Sequence, residues 1–271
     1  LAGGFAGTET TLAERDLNLT TNKTSLSGDF NGDDAVTGYA DALSITNNTE
    51  KGYHVVISTV HVVTARIDGF NISGGNANGT TTLTINGTNF YKNIGGGIFN
   101  HNSAPLLTNL VIIRNTANGG GGIYNDTANT VLTNVSISKN TANFGGGMYN
   151  EKSNSALTNV IFNGNRAKDG TMPVSPCSTF TTEATCNGAG NRCMWWGICI
   201  ETGNAAPEGT AVASGFGGGL YNKGSSPILT NVTFSKNQAD ADGSGMYNNT
   251  STPKLYNNLL IGNLATTSSP G

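Results

Sequence analysis

Three markers recur along this chain at the same steps, and that recurrence limits what it can fold into more than any other feature. Ile98-Phe99-Asn100, Ile123-Tyr124-Asn125, Met148-Tyr149-Asn150, Leu220-Tyr221-Asn222 and Met246-Tyr247-Asn248 each follow glycines. A second block trails each one: Leu107-Thr108-Asn109-Leu110, Leu132-Thr133-Asn134-Val135, Leu157-Thr158-Asn159-Val160, Leu229-Thr230-Asn231-Val232 and a degenerate Leu255-Tyr256-Asn257-Asn258. Asn115, Asn140, Asn165, Asn237 and Asn263 close the units. All three markers step by 25, 25, 72 and 26 residues, the long step being one period plus an insertion of 47 (72 − 25). Fixed self-similarity of this length marks a stacked-repeat architecture.

Each unit holds three short β-like segments with Gly or Asn at its bends. The expected fold is therefore all-β, a right-handed single-stranded parallel β-helix with three strands and about 25 residues per coil. A helical repeat is the rival, and the 38 glycines with abundant Asn and Thr oppose it, because all three are poor helix formers. Upstream, Ile67-Asp68-Gly69-Phe70-Asn71-Ile72 matches the Leu-Thr-Asn-Val strand, Tyr53-His54-Val55-Val56 reads as an earlier strand, and Ser25-Leu26-Ser27-Gly28-Asp29 precedes them. Seven to nine coils are expected. Residues 1–167 and 215–271 would form one β-helix domain, interrupted by a small disulfide-rich insert, 168–214.

Within the first strand, alternation puts residues 98, 123, 148, 220 and 246, all apolar, on the core face. Phe99, Tyr124, Tyr149, Tyr221 and Tyr247 would then point outward and stack, although aromatics inside remain the alternative. Asn109, Asn134, Asn159 and Asn231 are expected to form a ladder at the second bend. Asn tolerates left-handed backbone there, and its amide can both donate and accept along the row. Sequons such as those at Asn134 and Asn231 follow from the repeat and imply no glycosylation.

Only 11% of residues are charged, the net charge is −3, and no basic stripe occurs, so nucleic acid and anionic membranes are poor partners. No apolar run reaches the roughly 20 residues of a membrane span. The opening Leu1-Ala2-Gly3-Gly4-Phe5 reads like the middle of a strand and turn, as in a piece of a longer precursor.

The Gly-Gly-rich, aromatic-Asn repeats resemble those of bacterial polymorphic outer membrane proteins. They are still more similar to the extracellular choice-of-anchor β-helix proteins of bacteria. The start, Gly3-Gly4-Phe5-Ala6-Gly7-Thr8-Glu9-Thr10, and Leu26-Ser27-Gly28-Asp29 share that likeness. The resemblance covers all but the cysteine segment. It implies export, an extracellular or cell-surface place and a scaffold or adhesive role, with no catalytic residue.

Four candidate sites follow. Asp29, Asn31 and Asp33 alternate as calcium ligands do, yet Asp34 stands where such a loop needs Gly and Ala40 where it needs an acid, so a plain acidic turn competes. Cys177, Cys186, Cys193 and Cys199 fall in one short segment, which favours two disulfides of open connectivity in an oxidising compartment. Zinc is the rival, without a Cys-x-x-Cys pair or a nearby His. Trp195 and Trp196 beside them are a partner anchor or a mini-core. Tyr124, Tyr149, Tyr221 and Tyr247 form a possible glycan or partner surface. A self-assembling structural module is the leading function, since no capping helix covers either end and open strand edges invite another copy. A carbohydrate-binding or pectate-lyase-like protein is the alternative, against which acids (Asp68, Asp126, Glu151), bases (Arg114, Lys139, Lys236) and His54, His61 and His101 stand scattered singly.

Overall fold

The glycine runs and bend asparagines set how the chain closes each repeat. In the computed structural model the described residues are 1–17, 22–39, 43–59, 65–168, 193–195, 199–201 and 214–266, the two short segments by backbone alone. The protein is all-β, with one three-residue 3-10 turn at Leu12–Glu14 and long parallel sheets.

Equivalent segments of successive repeats pair side by side. The aromatic sheet has six parallel strands: Val56–Thr59, Ile98–His101, Ile123–Asp126, Met148–Glu151, Leu220–Lys223 and Met246–Asn249. Met148 pairs in register with Leu220, so the ladder continues directly across the 72-residue step. The Leu-Thr-Asn segments form a second sheet, seven strands deep along its path from Thr24–Ser27 to Lys254–Tyr256. Here the expected second and third strands share one sheet, and in two repeats they run together as Val131–Ser138 and Ala156–Asn163. A third sheet of two-residue strands, among them Thr141–Ala142 and Arg166–Ala167, adds a segment the sequence did not announce.

Ile123, Met148, Leu220, Leu132, Val135, Ile137, Phe162 and Phe234 fill the space between the two larger sheets. Phe162 and Phe234 stack there with centroids 4.8 Å apart. Upstream, Ile67 pairs with Leu107, and Ile72 with both Ile112 and Leu26, as expected, whereas the strand expected at Tyr53–Val56 begins only at Val56 and runs to Thr59. Outside the insert, two antiparallel hairpins among the described residues break the pattern, Ala35–Thr37 with Ser44–Thr46 and Thr82–Ile85 with Thr88–Tyr91. The second turns on Asn86-Gly87, both at positive φ, the two-residue signal of a tight hairpin.

The aromatic row needs a correction. Phe99, Tyr124, Tyr149 and Tyr221 do point away from the aliphatic core, but they are buried, at most 5% exposed. Phe90 of the second hairpin covers one end of the row. Ile94, Phe144 and Phe216, just ahead of the glycine runs, cover the rest. Tyr124, Tyr149 and Tyr221 stack with centroids 4.9 and 4.7 Å apart. A second apolar layer therefore removes the rings from water.

The insert's disulfide expectation lies outside the described residues. This holds for Cys177, Cys186 and the side chains of Cys193 and Cys199, as for the side chain of Trp195 and all of Trp196. Backbone segments Cys193–Trp195 and Cys199–Glu201 pair antiparallel.

Candidate functional site

Asparagine dominates the polar chemistry inside the protein. The expected exposed row runs Asn109, Asn134, Asn159, Asn231 and Asn257, each amide donating to the previous carbonyl at 2.7–3.2 Å. All five residues have φ between +51° and +55°, the left-handed region Asn tolerates. Two further rows are buried except at their last members, Asn248 and Asn263. Asn100, Asn125, Asn150 and Asn222 each donate in the opposite sense, to the Oδ1 of the next member, ending on Asn248, at 2.8–3.0 Å. In the row Asn115, Asn140, Asn165, Asn237 and Asn263, each Oδ1 after the first accepts from both the backbone N–H and the side-chain amide of its predecessor. Such rows satisfy buried polar groups without water.

The residue after Asn in each aromatic strand builds a charged row: His101, Asp126, Glu151, Lys223 and Asn249 are successive register partners. Asp126 and Glu151 thus sit on neighbouring strands about 4.8 Å apart, and His101 is not isolated. His101 Nδ1 donates to Asp126 Oδ2 at 2.8 Å, while the Asn102 amide lies 2.8 Å from Nε2. Thr127 Oγ1 donates to Asp126 Oδ1. Lys223 Nζ donates to Glu151 Oε1 at 2.9 Å, and the Tyr124 hydroxyl donates to Oε2. Burial, and then the Glu151 charge, push the Tyr124 phenol well above its ordinary pKa, so it stays a donor. Tyr91 from the hairpin is raised by burial and by Asp126 and Glu151. The sequence signal was there, the fourth place of the aromatic block, but the insert hid that Glu151 meets Lys223.

Asp68 closes the exposed Asn row. Its Oδ1 accepts from Asn109 at 2.8 Å, and its Oδ2 from Arg15 and Arg66 at 2.7 and 2.6 Å. Burial raises its pKa, but hydrogen bonds from Arg15 and Asn109 and the two guanidinium charges outweigh it and hold the carboxyl below its ordinary value. A depressed folded pKa contributes stability that is present above the unfolded value, about 4, and lost as pH falls through the folded one. The melting temperature is expected to fall with pH below about 4, and more shallowly in Asp68→Asn. Equal slopes in melts of the two proteins would remove Asp68 from this role.

The calcium expectation finds a mixed outcome in geometry. Asp29 and Asp33 meet, joined by Glu50, which the sequence reading missed, with oxygens within 4.8 Å of one another. Asn31 is exposed, and Ala40 and Asp41 lie outside the described residues. Asp29 accepts backbone N–H bonds from Gly32 and Asp34, and the Lys51 ammonium pairs with Asp34 and lies 3.8 Å from Asp29. Burial raises the Asp29 pKa, but those N–H bonds and the Lys51 charge bring it below its ordinary value. Lys51 thus places a positive charge beside these carboxylates.

His54 packs against Phe99 and bonds Gly95 O through Nδ1 at 3.0 Å, and burial lowers its pKa. His61 lies outside the described residues. No helix among the described residues is long and apolar enough to cross a membrane.

No family model, curated protein or solved structure matches this chain. The functional reading therefore rests on the geometry above and on the repeat.

Proposed function

We propose that this chain is a right-handed parallel β-helix module acting outside the cell or at its surface as a non-enzymatic structural or adhesive element, lengthened by end-to-end stacking of copies. One observation carries the reading. Leu255 and Leu260 of the last described repeat are 47% and 54% exposed, whereas their register partners Leu229 and Phe234 are wholly buried. Leu259, Ile261 and Leu264 are exposed beside them. Among the described residues, the last strands, Met246–Asn249, Lys254–Tyr256, Leu259–Ile261 and Leu264–Ala265, pair with a strand on their earlier side alone. The outermost described strands on the early side are Thr24–Ser27, Val56–Thr59, Arg66–Asp68 and Asn76–Ala77. Every main sheet is parallel, so a second copy placed head to tail continues each sheet in the same sense, a heterologous contact that propagates.

The charged row supports a structural role. Both oxygens of Asp68, Asp126, Glu151 and Asp240 accept hydrogen bonds from protein donors, so using any of them as acid or base would first break a bond that pins two repeats or a turn. The burial of Tyr124, Tyr149 and Tyr221 likewise weighs against a sugar-stacking surface. The extracellular placement rests on the resemblance of the repeats and on the clustered cysteines.

Sedimentation and electron microscopy of the purified chain test this. Growth of end-to-end particles with concentration is expected, and Leu260→Lys, which puts a charge on the bare face, should abolish it. Monomers persisting at high concentration would overturn the proposal.

A further inference from the structure

Backbone pairing brings a third acid to the 29–34 turn. Strand Thr24–Ser27 runs into that turn, and the Gly52 N–H donates to Gly28 O at 3.1 Å, which lays Glu50 and Lys51 beside it. Asn47 ties the same two segments again, its amide donating to Asp33 O at 3.2 Å. Asp29, Asp33 and Glu50 thereby each present an oxygen within 4.8 Å of the other two. Calcium–oxygen distances of about 2.3–2.6 Å put two ligands of one ion at most about 5 Å apart, so a single ion can touch all three.

Two further observations point to a cation here. The first is charge. With Asp34 included, four carboxylates gather around one ammonium, that of Lys51, which pairs with Asp34 and lies 3.8 Å from Asp29. These side chains are largely out of water, Lys51 2%, Asp34 10% and Asp29 13% exposed, so solvent screens the excess negative charge weakly. The second is a pair of orphan oxygens. Glu50 Oε1 and Asp34 Oδ1 are shut off from water and accept no hydrogen bond, while Lys51 meets Asp34 through Oδ2. A buried carboxylate oxygen without a donor is costly, and an ion is one of the partners that satisfies it.

We propose that Asp29, Asp33 and Glu50 hold one calcium ion, with Asp34 keeping the Lys51 ammonium to one side. Calcium takes six to eight oxygens, from carboxylates, carbonyls and water, in a flexible geometry. Three carboxylates drawn from two separate segments suit it better than magnesium, which demands a tight octahedron. The ion clamps the 29–34 turn to the segment that enters the repeats at Gly52. The site is independent of end-to-end assembly, and its test does not depend on that reading.

Calorimetric titration of the chelator-treated full chain with calcium chloride should show one saturable site, with magnesium binding about tenfold or more weakly. Excess calcium should raise the melting temperature, because it binds the folded chain alone. Asp33→Asn, at an exposed position, should leave the fold intact and weaken calcium about tenfold or more, as should Glu50→Gln. Glu9→Gln, an exposed acid elsewhere, should bind as the parent does. Absence of saturable calcium binding, magnesium binding as tight as calcium, or undiminished calcium binding in a folded Asp33→Asn or Glu50→Gln protein would each overturn the proposal.

Discussion

Asn140→Ala is expected to cost about 3–5 kcal/mol, while the same change at Asn159 costs about 1–2 kcal/mol. Asn140 is fully buried, and its Oδ1 accepts from the Asn115 backbone N–H and amide at 3.0 and 3.1 Å. Its own amide donates to Ile112 O at 2.9 Å and to Asn165 Oδ1 at 3.1 Å. Alanine leaves the Asn115 N–H and Ile112 O without these bonds in a space water does not reach, at about 1–3 kcal/mol for each group. Asn159 makes the corresponding bond to Asn134 in an exposed row, where water replaces it. Alanine there chiefly meets the strain of φ +54°, about 1–2 kcal/mol. Urea unfolding of the two variants decides the matter. Equal losses would mean that the buried row does no more for stability than the exposed one.

Gly146→Ala is expected to prevent folding or to cost more than about 4 kcal/mol. A methyl at Gly146 would lie 2.3 Å from Arg166 O and 2.5 Å from its carbonyl carbon, both main-chain atoms of the next repeat's short strand. Neither can withdraw without breaking the pairing of Thr141–Ala142 with Arg166–Ala167. Its neighbour Gly147 meets Gly219 O at 2.5 Å in the same way. The glycine run is thus a crossing where successive turns of chain touch backbone to backbone. Gly224 is the control: its φ is +56°, but a methyl there would meet nothing within 4 Å, so alanine should cost only about 1 kcal/mol. Soluble yield and melting temperature of the two variants check this, and a Gly146→Ala protein that melts like Gly224→Ala would refute the close crossing.

These two expectations also mark which parts of the site were legible beforehand. The exposed Asn row could be read residue by residue, because a left-handed bend selects Asn by backbone geometry, a local property. The buried rows share the same period, yet their burial could not be read, since none of the five residues from Asn115 to Asn263 has positive φ and only their surroundings make the amides necessary. The charged row was misread as scattered side chains. Asp126 and Glu151 are 25 residues apart, and Glu151 and Lys223 are 72 apart, so their contact exists only once the strands pair. Glu50 joined Asp29 and Asp33 for the same reason.

The sequence by itself determined the period, the register of the parallel strands and the face that carries Ile, Met and Leu, because a repeated pattern must align with itself when its strands pair. Only the tertiary structure decided that the tyrosines are covered and that one Asn row ends on an orphan carbonyl. Those outcomes depend on pieces that do not repeat: the 82–91 hairpin that brings Phe90, and Ser58, the strand partner of Asn100 where each later repeat has Asn. Periodicity says where a side chain stands in its own repeat. What lies over it is settled by packing between segments far apart in the chain.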